Sequence, residues 1–147
     1  MASLRGKALA LLARRDYSRA ALAKKLAPLA ESEDALNGLL DALIADNLLS
    51  DTRYATNRVS ARGRRFGNVH LSHQLKREGV ATEIVAAALA EADDENSRCR
   101  VVWQKKFGTL PDTLLDKARQ ARFLQYRGFS SASIRQVLGD TEWDDDF

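Results

Sequence analysis

The chain is poor in the residues that build several common kinds of protein. It has one cysteine in 147 residues, so it cannot form an internal disulfide. It has two prolines and no Gly/Ser-rich or low-complexity run, so there is no linker to divide it. Apolar runs stay well short of the roughly 18 residues that a membrane-spanning helix needs. The first residues lack the apolar core and small-residue cleavage site of a signal peptide. With a lone thiol, the expected compartment is a reducing cytoplasm, with no membrane partner. Aromatics make up 7%, too few for a surface on which single-stranded bases stack. No segment alternates with period two for long enough to be a strand, so there is no strand-borne glycine loop to hold a nucleotide.

Catalytic and metal-binding constellations are also missing. His70 and His73 lie three apart on one helix face, but no third Cys, His or spaced carboxylate joins them. Cys99 falls on an apolar stripe and reads as a small core residue rather than a nucleophile. The clusters "EADDE" and "DTEWDDD" read as solvated chain ends. The expectation is a protein that is not an enzyme and carries no cofactor.

What the chain does have is helix. Alanine and leucine dominate, and caps recur. The pattern predicts helices over about 4–14, 19–27, 51–65, 68–78, 82–92, 95–107, 112–127 and 131–138. Another is centred on Leu36, Leu39, Leu40, Leu43 and Ile44, whose spacing is that of one helical face.

One local device appears three times. In "RDYSRAALAKKL", Ser18 can cap a helix, and Tyr17 stands where it can staple against Leu22, one turn into that helix. Leu26 continues the same face. "FGNVHLSHQL" repeats the set with Phe66, Gly67, Leu71 and Leu75. "FSSASIRQVL" repeats it with Phe129, Ser130, Ile134 and Leu138. Two residues before each aromatic lies an arginine: Arg15, Arg64 and Arg127. The third corner is displaced by the length of one extra helix, residues 95–108. Three matching corners define an internal repeat, expected as an all-α chain of three tandem three-helix modules. The repeats are 3–49, 50–93 and 94–139, in a single domain followed by an acidic tail, 140–147. The three corner aromatics are expected to be buried.

Net charge is +3, unevenly spread. Residues 1–27 carry +6, 28–51 carry −6, 52–79 carry +6, 80–96 carry −5, 97–137 carry +7 and 138–147 carry −5. The stapled helix pairs are basic and the intervening helices acidic. If the modules stack alike, the basic pairs form a ridge or groove, the usual footprint of a phosphate-backbone partner. The alternative is solubility charge that happens to segregate. A stapled helix pair also suggests sequence-specific reading of the DNA major groove, but "AALAKK" and "SIRQV" are poor in base-reading side chains.

The ordered motifs resemble the RecX family, regulators of the RecA recombinase. "ALALLARRDYSRAALAKKL" is similar to the family's opening. "NLLSDTRYATNRVSARG" resembles its central signature through Leu49, Asp51, Arg53, Tyr54, Ala55 and Arg62. "LSHQLKREGV" matches the stretch after it, and "KARQARFLQYRGFSSASIRQVL" the closing motif. The likeness runs over about residues 4–139. The chain departs from the family at "GNVH", where His70 replaces an expected positive charge. The resemblance implies three three-helix repeats in a curved, elongated molecule. It implies a monomeric partner of RecA and of the RecA–DNA filament, inhibiting ATP hydrolysis, filament growth and strand exchange in DNA repair and recombination. It offers no catalytic residue. The expected DNA- or filament-binding face comprises Arg15, Arg53, Arg62, Arg64, Arg65, Lys76, Arg77, Arg122 and Arg127. The alternatives are a nonspecific DNA-binding protein that acts by competition, and a helical adaptor with no DNA contact.

Overall fold

The structure, a computed structural model, describes residues 3–139. Among these there are nine α-helices and no strand. They are α1 (Leu4–Arg14), α2 (Arg19–Leu26), α3 (Glu33–Ala45), α4 (Asp51–Arg62), α5 (Asn68–Arg77), α6 (Thr82–Glu91), α7 (Glu95–Lys106), α8 (Leu114–Tyr126) and α9 (Ser131–Leu138). A 3-10 turn over Ala27–Leu29, with Pro28 in its first turn, follows α2. The all-α expectation is met. The acidic-tail assignment, 140–147, lies outside the described residues.

Helix starts follow the capping rules closely. Ser3, Ser18, Ser32, Asp94, Thr113 and Ser130 each accept a hydrogen bond from a backbone N–H in the first turn of the helix they open. Ser50 does the same for Arg53 N–H at 3.1 Å. Two ends differ from expectation. Helix α4 stops at Arg62 rather than Arg65, because the next residues tighten into a turn with Arg65 N–H on Arg62 C=O. Helix α8 starts at Leu114 rather than Asp112, because Thr113 is the cap.

The chain divides into two compact units: Met1–Asn57 with Leu75–Ala88, and Arg58–Gln74 with Leu89–Phe147. In the first, α2 packs on α1 and α3. Ala8, Tyr17, Leu22, Leu26, Leu36, Leu40, Leu43 and Leu49 form its core. The first corner is tied down by its cap: Ser18 Oγ accepts from Ala21 N–H at 3.1 Å and donates to Glu78 C=O at 2.6 Å. Arg19 N–H, another first-turn donor, reaches Asp51 Oδ1 at 2.7 Å.

In the second unit α7, α8 and α9 pack pairwise. Cys99, Val102, Trp103, Ala121, Leu124, Phe129, Ile134, Val137 and Leu138 form the core. Burial pushes the Cys99 thiol up to about 12, so it stays protonated and unreactive. The buried indole of Trp103 donates to Gln120 Oε1 at 2.8 Å, which satisfies its one donor.

The second and third corners meet backbone to backbone within this unit. Gly67 N–H donates to Arg127 C=O at 2.8 Å, and Val69 N–H to Gly128 C=O at 3.1 Å. A Cβ on Gly67 would stand 2.4 Å from Gly128 C=O. Gly128 has φ +90 and a Cβ there would meet His70 at 2.4 Å. The glycine that replaces the capping serine at the second corner is thus the residue that lets the two turns touch. At the start of α5, Val69 N–H therefore finds a carbonyl of the neighbouring turn, and Asn68 N–H finds the Glu95 carboxylate, in place of a capping hydroxyl.

Tyr17 is 7% exposed and Phe129 3% exposed, as staples should be. Phe66 is not buried in the same way; it is only partly covered. With its own turn pressed on Gly128, the ring lies flat on His70 of the helix that follows, centroids 4.0 Å apart and planes 11° from parallel.

Two substitutions test this packing. Gly67→Ala meets backbone that cannot rotate away, and should lower the unfolding free energy by about 3 kcal/mol. Gly38→Ala, in the middle of α3 with nothing within 4 Å of the new methyl, should raise it by about 0.5–1 kcal/mol. Thermal and urea unfolding of both variants measures the two signs.

Candidate nucleic-acid interface

The basic residues of the second unit sit mainly at helix ends. Arg62 closes α4, and Arg64 and Arg65 follow in the turn. Lys105 and Lys106 close α7. Arg127 is the C-cap of α8. A cation at a helix C-terminus is favoured by the exposed carbonyls, so any one of these needs no further purpose. What the fold adds is convergence. Arg64, Arg65, Lys105, Lys106 and Arg127 line one open cleft of about 580 Å³, with Ala61, Val102 and Phe123 as its apolar part.

Among the described residues, no acidic side chain lines this cleft. Among the described residues, none of its five cations forms an ion pair, whereas Arg5–Asp46, Arg19–Asp41 and Arg119–Asp116 do. Three of the charges, those of Arg65, Lys106 and Arg127, instead stand over aromatic faces. Lys106 Nζ stands 5.3 Å and the Arg127 guanidinium 5.0 Å from the Phe123 ring centroid. The guanidinium groups of Arg62, Arg65 and Arg127 surround the Phe66 ring at 5.0, 5.7 and 5.6 Å. Ring quadrupoles hold cations in place without cancelling their charge. The result is a concentration of positive charge in one cleft.

The turn that carries Arg64 and Arg65 is held from below. Arg98, only 8% exposed, donates Nη1 to Gly63 C=O at 3.2 Å and to Phe66 C=O at 2.8 Å, the carbonyls on either side of the two arginines. Its Nε donates to Asp93 C=O at 3.0 Å, and Nη2 bonds Asn68 Oδ1. Burial lowers its pKa, while Glu95 and then Asp93 and Asp94 hold it up. One turn back on α7, Glu95 accepts from Asn68 N–H at 2.7 Å with one oxygen. The other accepts from Ser130 Oγ at 2.8 Å and Ser133 Oγ at 3.0 Å. Arg127 Nη1 donates to Arg65 C=O at 3.2 Å, which closes the frame around the turn.

Of the nine residues expected on the binding face, the structure brings Arg64, Arg65 and Arg127 into the cleft. Arg62 joins them through the Phe66 ring. Arg122 is exposed on α8 but does not line the cleft. Arg15, Arg53, Lys76 and Arg77 belong to the first unit and are exposed. There Arg15 lies 4.5 Å over the Tyr17 ring and Arg53 donates to Asn47 C=O at 3.2 Å. Lys105 and Lys106 escaped the sequence reading. They were visible only as part of a basic stretch, and their signal is a pair of lysines in the last turn of a helix. Among the described residues no group of three His, Cys, Asp or Glu is placed to hold a metal. No helix there is long and apolar enough to cross a membrane.

These features define an all-α protein with a cleft lined by cations. Residues 93–138 match the family description "RecX, third three-helix domain". The regulatory protein RecX of Chromobacterium violaceum is 46% identical, over 99% of this chain and 94% of its own length. That of Ralstonia nicotianae is 39% identical, over 92% of this chain and 86% of its own. The crystal structure of RecX from Lactobacillus salivarius superimposes with a TM-score of 0.79 at 20% identity, covering 91% of each chain, and shares the fold. The chain belongs to the RecX family of regulatory proteins.

Arg98 is the support on which the cleft's shape depends. Arg98→Met should cost about 3–5 kcal/mol, because buried carbonyls and the Glu95 carboxylate lose their cation. Arg98→Lys should recover little of it, since an ammonium cannot span the fork of acceptors. Urea unfolding of both variants measures the destabilisation.

Proposed function

We propose that this protein is a non-enzymatic regulator of the RecA recombinase. It binds RecA and the RecA–DNA filament as a cytoplasmic monomer, and restrains ATP hydrolysis, filament growth and strand exchange. The cleft of Arg64, Arg65, Lys105, Lys106 and Arg127 meets DNA phosphates in that complex. Arg62 and Arg122 of the same unit add to that contact, and Arg15, Arg53, Lys76 and Arg77 of the first unit also bind the filament. The three repeats 3–49, 50–93 and 94–139 are the units that present these charges. Family membership supports the regulatory role. The observation that carries the phosphate contact is the cleft's chemistry: five cations, no acid and no ion pair among the described residues. Arginine forks suit phosphate oxygens in pairs, and such contacts ignore base sequence.

The test pairs two measurements on the variant R64E/R65E. RecA-dependent ATP hydrolysis on single-stranded DNA is followed with the regulator well below one per RecA. Affinity for free DNA is measured against salt. Inhibition should fall steeply, and the log-affinity against log-salt slope should flatten by roughly 0.7–0.9 for each phosphate that is no longer neutralised. Full inhibition by the variant at physiological salt removes the cleft from the mechanism. Abolished DNA binding in the variant, with wild-type inhibition that appears only at DNA-coating amounts, favours simple competition for DNA.

A further inference from the structure

We propose that Tyr126 is a stacking platform for one base of single-stranded DNA, set between two phosphate contacts, and that it gives the protein a preference for single strands over duplex. This rests on the proposal that the cleft meets DNA phosphates.

The ring stands apart from the others in the molecule. Tyr126 is 87% exposed, more than any other large apolar side chain among the described residues. Every other aromatic ring there is buried or half-buried. The Tyr126 ring stacks on no other ring and has no cation over its face among the described residues. A tyrosine has few torsions to immobilise, so ordering it against a ligand costs little.

Its neighbours on α8 indicate the ligand. With 3.6 residues per turn, Tyr126 lies about 40° around the helix from Arg122 and about 60° from Phe123, and Arg127 lies about 40° beyond Phe123. Phe123 and Arg127 line the cleft. Arg122 is exposed, stands outside the cleft and forms no ion pair among the described residues. Arg122 and Phe123 precede Tyr126 by four and three residues, spacings that bring Cβ atoms to about 5–6 Å. A tyrosine on a helix leans back over that turn. The ring therefore stands between the cleft cations and Arg122, all within the second unit.

A strand with one phosphate in the cleft at Arg127 and the next at Arg122 crosses α8 over Tyr126, and lays the base between them on the ring. Stacking needs only a π-face, so any base serves. Duplex DNA gains nothing from the ring, because its bases already stack on one another and drawing one out costs free energy. The phosphate contacts thus serve both forms, and Tyr126 adds to single strands alone. The chain's aromatic content is low, yet one ring so placed suffices for one base.

The experiment measures binding of oligothymidylate and of a hairpin duplex with the same number of phosphates to the full chain and to Y126A, Y126F and R64E/R65E. Y126A should bind oligothymidylate about tenfold more weakly and the hairpin as the parent does. Both salt slopes should stay unchanged in Y126A, because no phosphate contact is lost. Y126F keeps the ring and should keep both affinities. Oligothymidylate substituted with iodouracil should photocrosslink to Tyr126. Unchanged oligothymidylate affinity in Y126A, or an equal loss on strand and hairpin, overturns the stacking. Unchanged affinity with weakened inhibition of RecA-dependent ATP hydrolysis overturns it too, and assigns the ring to a protein contact. R64E/R65E reports on the cleft separately. Undiminished DNA binding in that variant removes phosphates from the cleft, while a loss confined to single strands in Y126A still keeps a base on Tyr126.

Discussion

A buried guanidinium orders the basic half of this molecule. Arg98 gives its donors to carbonyls of the α4–α5 turn and of residue 93, and to the side chain of Asn68. Turn carbonyls lack helical partners, and burying them unpaired is costly. Arg98 meets that requirement and so fixes where the turn sits against α7. Glu95, one turn away, performs the complementary task. It accepts from the first N–H of α5 and from two serines at the start of α9. One acid and one base on a single helix face thereby organise the beginnings and ends of three other segments. The cleft arginines stand on the turn so held.

The corners show how one motif is adapted to two settings. At the first, serine caps its helix and also donates outward to a carbonyl. At the third, Ser130 caps its helix and donates to Glu95. At the second, the serine is replaced by glycine and the hydroxyl's role passes to backbone carbonyls of the third corner. The same arrangement places Phe66 beside its helix rather than under it.

Much of this was legible in the chain. Staples, caps and apolar stripes are interactions between residues three to five apart, so α1, α5 and α9 could be placed nearly to the residue. The family resemblance covered the same corners. The cleft was legible only as charge density. Arg64 and Arg127 could be singled out because they precede a repeated aromatic. Lys105 and Lys106 join them through the packing of α7 on α8, which no local pattern encodes. Arg98 carries no local signal of its role, because its acceptors in the turn and on Asn68 lie 30 to 35 residues away in the chain. Phe66 misled for the opposite reason. Its local pattern is right, but the close approach of Gly67 to Gly128 overrides it.

The position of the cleft cations at helix ends has a kinetic consequence. Helix C-termini carry partial negative charge that offsets part of the field of cations beside them at long range, and the chain's net charge is only +3. Approach of a polyanion is therefore weakly accelerated, in contrast to proteins whose strong surface potential draws nucleic acid from a distance. On the proposed phosphate contact, attraction becomes strong only inside the cleft. A regulator using that contact would search slowly, hold by contact and let go readily when salt or a competing strand intervenes, and brief residence would allow a few molecules to act in turn on many sites along a polymer.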